Sequence, residues 1–211
     1  MGELRLSRRR LLGAGAAGTI GILLAPQAVN AREEVVKLRW DLVVNVLGAV
    51  VPGGFVVADD AATNDVIGLT GSGFARPHQG KASGGGTWAR RHSDFSFVDA
   101  GVFLVTGFNS FTNGGGSLAG SGVTDAIDEL DQTTGGVLSL NVSAVGGSTP
   151  PFAAVLEIHC SLPGSSTTTG GIRLVIAQLG LDFEPPEKGG GILNGSTLFH
   201  VLEGSVLSPS S

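Results

Sequence analysis

Leu138-Ser139-Leu140-Asn141-Val142-Ser143 exchanges an apolar for a polar side chain at every step. Successive side chains of a strand point to opposite faces, so this period of two sends Leu138, Leu140 and Val142 into a core and leaves the serines and Asn141 to water. The pattern recurs on both sides of this stretch. Toward the N-terminus Val36, Leu38, Trp40 and Leu42 alternate with Lys37, Arg39 and Asp41; toward the C-terminus Ile172, Leu174 and Ile176 oppose Arg173, Val175 and Ala177. Less regular runs at 66–74, 84–91, 95–98, 102–111, 155–162 and 197–202 read as further strands.

Turn formers separate these runs: Pro52-Gly53-Gly54, Asn113-Gly114-Gly115-Gly116, Gly146-Gly147, Pro163-Gly164, Gly170-Gly171 and Gly189-Gly190-Gly191. Roughly nine strands joined by tight turns, with no long helical period, predict an all-β domain, an antiparallel barrel or a sandwich. Glycines inside the runs, Gly71, Gly73 and Gly84 to Gly86, allow the sharp bends that close a sheet and favour the barrel. One short helix is expected from Thr124 to Gln132, capped by Thr124 or Asp125, with Ala126, Ile127 and Leu130 as its apolar stripe.

The first residues obey different rules. Arg5 and Arg8-Arg9-Arg10 precede an uncharged stretch, Leu11 to Ala25, that is too short to span a membrane and is diluted with glycine and alanine. Pro26 ends any helix, and Val29-Asn30-Ala31 offers small residues for cleavage after Ala31. Ser7-Arg8-Arg9-Arg10-Leu11-Leu12 resembles the signal of the twin-arginine pathway, with Arg8 and Arg9 as the arginine pair and Leu11 where that family often has phenylalanine. The resemblance implies export of a folded protein, with the twin-arginine translocase and signal peptidase as partners and a periplasmic, envelope or secreted destination. The expected organisation is therefore a signal over residues 1–31 and one β-rich domain over residues 32–211.

Without that leader the chain has 9 basic and 17 acidic residues, a net charge of -8. Nucleic acids and anionic membranes are bound mainly through Lys and Arg, so this acidity argues against both as partners. Past the leader no apolar run reaches about 18 residues, the length of a spanning helix. Cys160, the single cysteine, shares a strand face with Leu156, Ile158 and Leu162 and reads as a buried, inert thiol.

Chemistry-bearing motifs are sparse. Gly73 to Lys81 is too widely spaced for a phosphate loop, and Ala82 stands where a hydroxyl is needed. Gly115-Gly116-Ser117-Leu118-Ala119 lacks the last glycine of a nucleophile elbow. Acidic groups at Asp59, Asp60 and Asp65, and at Asp125, Asp128, Glu129 and Asp131, do not follow a calcium-loop pattern and read as exposed turns. Of the four histidines, His159 and His200 should point away from Cys160 and Phe199, which could set both on one wall, with Glu157 as a carboxylate partner for acid–base work or with a bound metal. Spacing makes a metal there the less favoured reading, and the sequence names no cofactor.

The densest polar segment is basic: Arg76, His78 and Lys81, then Trp88, then Arg90, Arg91 and His92. Folded back on itself, it would surround a ligand bearing a carboxylate or phosphate, with Trp88 as an apolar wall; the bland alternative is a set of solvated strand edges.

Ser83-Gly84-Gly85-Gly86-Thr87-Trp88, Gly171-Ile172-Arg173-Leu174 and Gly195-Ser196-Thr197-Leu198-Phe199 look like segments of uncharacterised secreted bacterial β-proteins. The architecture is similar to calycin and allene-oxide-cyclase-like barrels, and that similarity implies binding or isomerisation of apolar molecules. Three readings follow. The first is non-catalytic binding of a small apolar or amphipathic molecule in the barrel. The others are a barrel enzyme using His159 or His200, isomerase-like, cyclase-like or metal-dependent, and a structural envelope protein.

Overall fold

In a computed structural model, residues 34–128, 132–185 and 195–205 are described. Twelve strands form one continuous sheet: β1 (Glu34–Val46), β2 (Ala49–Pro52), β3 (Val56–Asp60), β4 (Val66–Arg76), β5 (Lys81–Arg91), β6 (Phe97–Gly115), β7 (Thr124–Asp125), β8 (Thr133–Gly146), β9 (Phe152–Cys160), β10 (Gly171–Ile176), β11 (Leu181–Glu184) and β12 (Ser196–Ser205). Eight of them run β6-β5-β4-β3-β11-β10-β9-β8, and β8 pairs back onto β6, closing an antiparallel barrel. Closure leaves none of the eight as a free edge, the condition that the in-strand glycines anticipate.

The remaining strands fork from this ring. β4 pairs with β3 through Val66 to Leu69 and with β1 through Ser72 to Ala75, so one strand serves two neighbours in turn. β8 does the same, meeting β12 at Thr133 and Thr134 and β9 from Gly136 onward. The β1–β12 ribbon therefore bridges β4 and β8 at one end of the barrel. Both faces of β1 are covered there: Leu38, Trp40 and Leu42 on one side and Asp41 on the other have no exposed surface.

Trp40 explains the glycines of the β4–β5 hairpin. A Cβ on Gly73 would lie 2.8 Å from the Trp40 ring and one on Gly84 2.7 Å from it, and Gly84 has φ of +136°, a backbone that side chains disfavour. Phe103 uses the same device against Gly71, where the nearest ring atom would be 3.1 Å from an added Cβ. Two aromatic rings thus occupy the volume that hairpin side chains leave vacant.

The alternation at 138–143 is realised in β8, where Leu138, Leu140 and Val142 are buried. The runs at 95–98 and 102–111 do not make two strands. From Phe97 they fuse into the 19-residue β6, because Gly101 continues the ladder opposite both Trp88 and Gly146.

The helix expected from Thr124 is not formed over the described residues of that stretch. Thr124–Asp125 instead pairs in parallel with Ala49 and Val50, and the Thr124 and Ala126 amides donate to Gly48 and Val50 carbonyls at 2.9 and 3.0 Å. Residues 129–131, with Glu129, Leu130 and Asp131, lie outside the described residues, as does the whole leader with Arg8, Arg9 and Ala31.

Candidate functional site

The β4–β5 hairpin carries the basic segment and pulls it apart. Arg76 faces Lys81 across the strands at one end, beside the turn at Pro77–Gln79 that holds His78. Arg91 faces Val66 at the other end, ten residues along, which at about 3.3 Å per residue is about 33 Å away. Trp88 lies between them on the inner face, 4 % exposed, its ring edge-on to Phe152 at 5.4 Å. The seven residues therefore form two separate clusters and a core aromatic.

At the far end every basic side chain has a partner. Arg90 Nε donates to Asp65 Oδ2 at 2.8 Å, His92 Nδ1 lies 2.9 Å from Asp65 Oδ1, and Arg91 donates to the Phe95 carbonyl at 3.0 Å. Asp65 is buried, and burial opposes its ionisation, but the hydrogen bonds from His92 and Arg90 prevail and hold its carboxyl below its usual range. Asp60 is also buried, accepting from the Thr63 amide at 3.0 Å. The expectation of exposed acidic turns therefore fails for both aspartates: each carboxylate organises a loop from within.

The near end is different. Arg76 and Lys81 are exposed and have no hydrogen bond or ion pair among the described residues. They flank Phe74, itself 42 % exposed, in a groove of about 380 Å³ that continues over Gly80, Ala82 and Ser83 to Thr106 and Gly107 of β6. Lys37 of β1 sets its Nζ over the Phe74 ring at 5.7 Å. Phe74 and Lys37 are the residues that sequence reading missed. Phe74 was within reach, since in a strand it shares a face with Arg76; Lys37 was not, because β1 joins β4 only through a non-local pairing.

His159 and His200 do not share a wall. His159 stands on the outer face of β9, with Nε2 3.5 Å from Glu157 Oε2, in a ladder where Arg173 donates to Asp182 at 2.7 and 3.0 Å and reaches Glu157 and Glu184 at 3.7 and 3.6 Å. Bonding to Asp182 raises the pKa of Arg173, as expected of a structural ion pair.

His200 is sealed. Its Nε2 donates to Asp125 Oδ2 at 2.7 Å, with the two side chains 0 % and 1 % exposed, and its Nδ1 has no hydrogen-bond partner among the described residues. Asp125 also accepts from the Ile127 amide at 2.8 Å, so the pair clamps the segment after β7 onto β12. Beside it Arg39, cross-strand from His200, donates to both oxygens of Asp41 at 2.8 and 3.0 Å. A His–Asp pair of this kind orients an imidazole for proton transfer, but this one lines neither the groove at Phe74 nor the larger one beside the start of β8.

Burial pushes the Cys160 thiol up to about 12, and its Sγ donates to the Thr197 carbonyl at 3.3 Å, so it is inert as expected. Inside the barrel, the space enclosed by Leu69, Trp88, Phe103, Val142, Ala144, Phe152 and Leu174 is about 10 Å³, at most the room of one water. A second groove of about 710 Å³ lies between the start of β8, the end of β6 and the Gly164–Ser166 turn, lined by Asn113, Thr133, Thr134 and Ser165 with Val35, Val201 and Leu202 as its apolar side. Neither groove is lined by a histidine or a carboxylate. No cluster of three metal-ligating side chains occurs among the described residues. No family model, curated protein or solved structure matches the chain.

Proposed function

We propose that this protein is exported through the twin-arginine pathway and binds, without turning it over, a small amphipathic anion in the groove at Phe74. Arg76 and Lys81 take the carboxylate or phosphate, and Phe74 takes the apolar part. The observation that carries this reading is the pair itself. Two like charges directly opposite each other in a ladder repel, and on an acidic chain acidic partners are plentiful, yet these two have none among the described residues. Charge-assisted bonds from both cations to one anion would offset that repulsion. The close filling around Leu69, Trp88 and Phe103 favours a ligand at the surface over one in the interior. Binding is preferred to catalysis because none of the three His–carboxylate pairs lines either groove: His200–Asp125 is sealed, His159–Glu157 stands on the outer wall, and Asp65 of the His92 pair is shared with Arg90.

Calorimetric titration with dodecanoate and dodecyl phosphate tests the site. The protein should bind at least one of them, more weakly as salt rises, and Arg76→Ala with Lys81→Ala should weaken binding about tenfold or more. Affinity unchanged in the double variant, or no binding of either probe, would overturn the site. For the route, Arg8→Lys with Arg9→Lys should hold the product in the cytosol; continued export would refute the twin-arginine reading.

A further inference from the structure

The barrel has one wall almost without charge. β8 has no charged residue in fourteen, and β6 has one in nineteen, Asp99, whose oxygens are taken up by the Ala100, Gly147, Ser148 and Thr149 amides. In β5 the charges stand only at the ends, Lys81, Arg90 and Arg91. Two rows cross this wall in register: Thr70, Thr87, Val102 and Val145, then Ser72, Gly85, Leu104 and Ser143. At its middle Leu104 is 65 %, Val102 52 % and Val145 48 % exposed. The opposite wall carries the ladder of Glu157, Arg173, Asp182 and Glu184.

We infer that the β5–β6–β8 wall is the contact surface for a second copy of this chain. Three observations select that occupant. Two copies carry the same acidic net charge, so they approach at least cost through a face whose few charges stand at its ends and are mostly basic. Polar groups on the wall already bond sideways: Thr70 and Thr87 hydroxyls at 2.8 Å, and Asn109 and Asn141 amides exchanging bonds at 2.8 and 3.2 Å. Covering them would leave few groups stranded without partners. With the stretch of β4 that bears Thr70 and Ser72, the wall is four strands wide, about 19 Å across and about 30 Å along, which makes about 600 Å² in projection against the ~800 Å² that each partner gives to a specific interface. Self-complementarity about a two-fold axis would set Leu104 near Leu104 of the other copy.

Sedimentation of the purified protein over a range of concentrations and salt tests this. The expected result is a dimer that tightens, or at least does not loosen, as salt rises, and a Leu104→Arg variant with a dissociation constant about 30-fold higher or more. Val102→Glu, on the same face, should act alike, and circular dichroism with unchanged melting at low concentration would show that both variants fold. A protein that stays monomeric at high concentration overturns the inference, as does a dimer that survives both substitutions. So does a monomer that binds neutral phosphatidylcholine vesicles through Leu104, which would make the wall a lipid-facing surface. None of these outcomes depends on Arg76 or Lys81.

Discussion

The two ends of the β4–β5 hairpin bear similar residues and opposite logic. At one end Arg90, Arg91 and His92 are tied to Asp65 and to a backbone carbonyl; at the other Arg76 and Lys81 face each other without an acid among the described residues. Composition makes these clusters equal. Partners make one a fastening and leave the other a pair of like charges with no acid beside it among the described residues. A basic residue in a sequence acquires a role only when the fold decides whether a carboxylate comes within about 4 Å of it.

The comparison requires that the hairpin between the two ends be rigid, so the largest effect should come from breaking its middle. An alanine Cβ at Gly84 would lie 2.4 Å from the Ser72 carbonyl oxygen and 2.7 Å from the Trp40 ring, on a backbone with φ of +136°. Strain and overpacking together should cost about 3 kcal/mol or more in Gly84→Ala. Urea denaturation should show it as a lower midpoint at unchanged slope, and an undiminished midpoint would mean that Trp40 does not press on the hairpin.

The fastened end should respond next. Asp65→Ala leaves Arg90 and His92 without their carboxylate, and since Arg90 is only 22 % exposed the loss should be about 2 kcal/mol, below that of a fully buried pair. Acid gives a second view of the same contact. Asp65 has a folded pKa below its unfolded value near 3.9, so its stabilisation is complete above that value and fades as pH falls from there through the folded pKa. The melting temperature of the parent should therefore drop more than that of Asp65→Ala between about pH 4 and pH 2. Parallel acid profiles would show that Asp65 is not the fastening.

Legibility in the sequence follows the range of the interaction that fixes each feature. Alternation is local, so β1, β8 and β10 could be read from Leu38, Leu140 and Leu174 with their neighbours, and the in-strand glycines announced closure. Asp125 shows where reading fails. Beside Thr124 and before Ala126 and Ile127 it resembles a helix cap, yet β2 offers backbone partners at Gly48 and Val50, and His200, 75 residues away, takes its carboxylate. No local pattern encodes a partner at that distance. The basic segment failed likewise: its residues were found, but their sorting depends on Asp65 and on the eleven-residue length of the strands that hold the two groups apart.

The smallest effect on stability, and the most telling for the comparison, belongs to the near end. Arg76 and Lys81 form a like-charged cross-strand pair, an arrangement that costs roughly 0.2–1 kcal/mol against neutral neighbours. Replacing either by alanine should leave the urea midpoint within about 0.5 kcal/mol of the parent, or raise it slightly in low salt, where the relieved repulsion is least screened. A loss above about 1 kcal/mol would give the near end the same fastening role as the far end and remove the reason for placing an anion there. A neutral or stabilising result alongside lost anion binding would separate the two ends as proposed: one set of cations that the barrel needs, and one that it tolerates for a ligand.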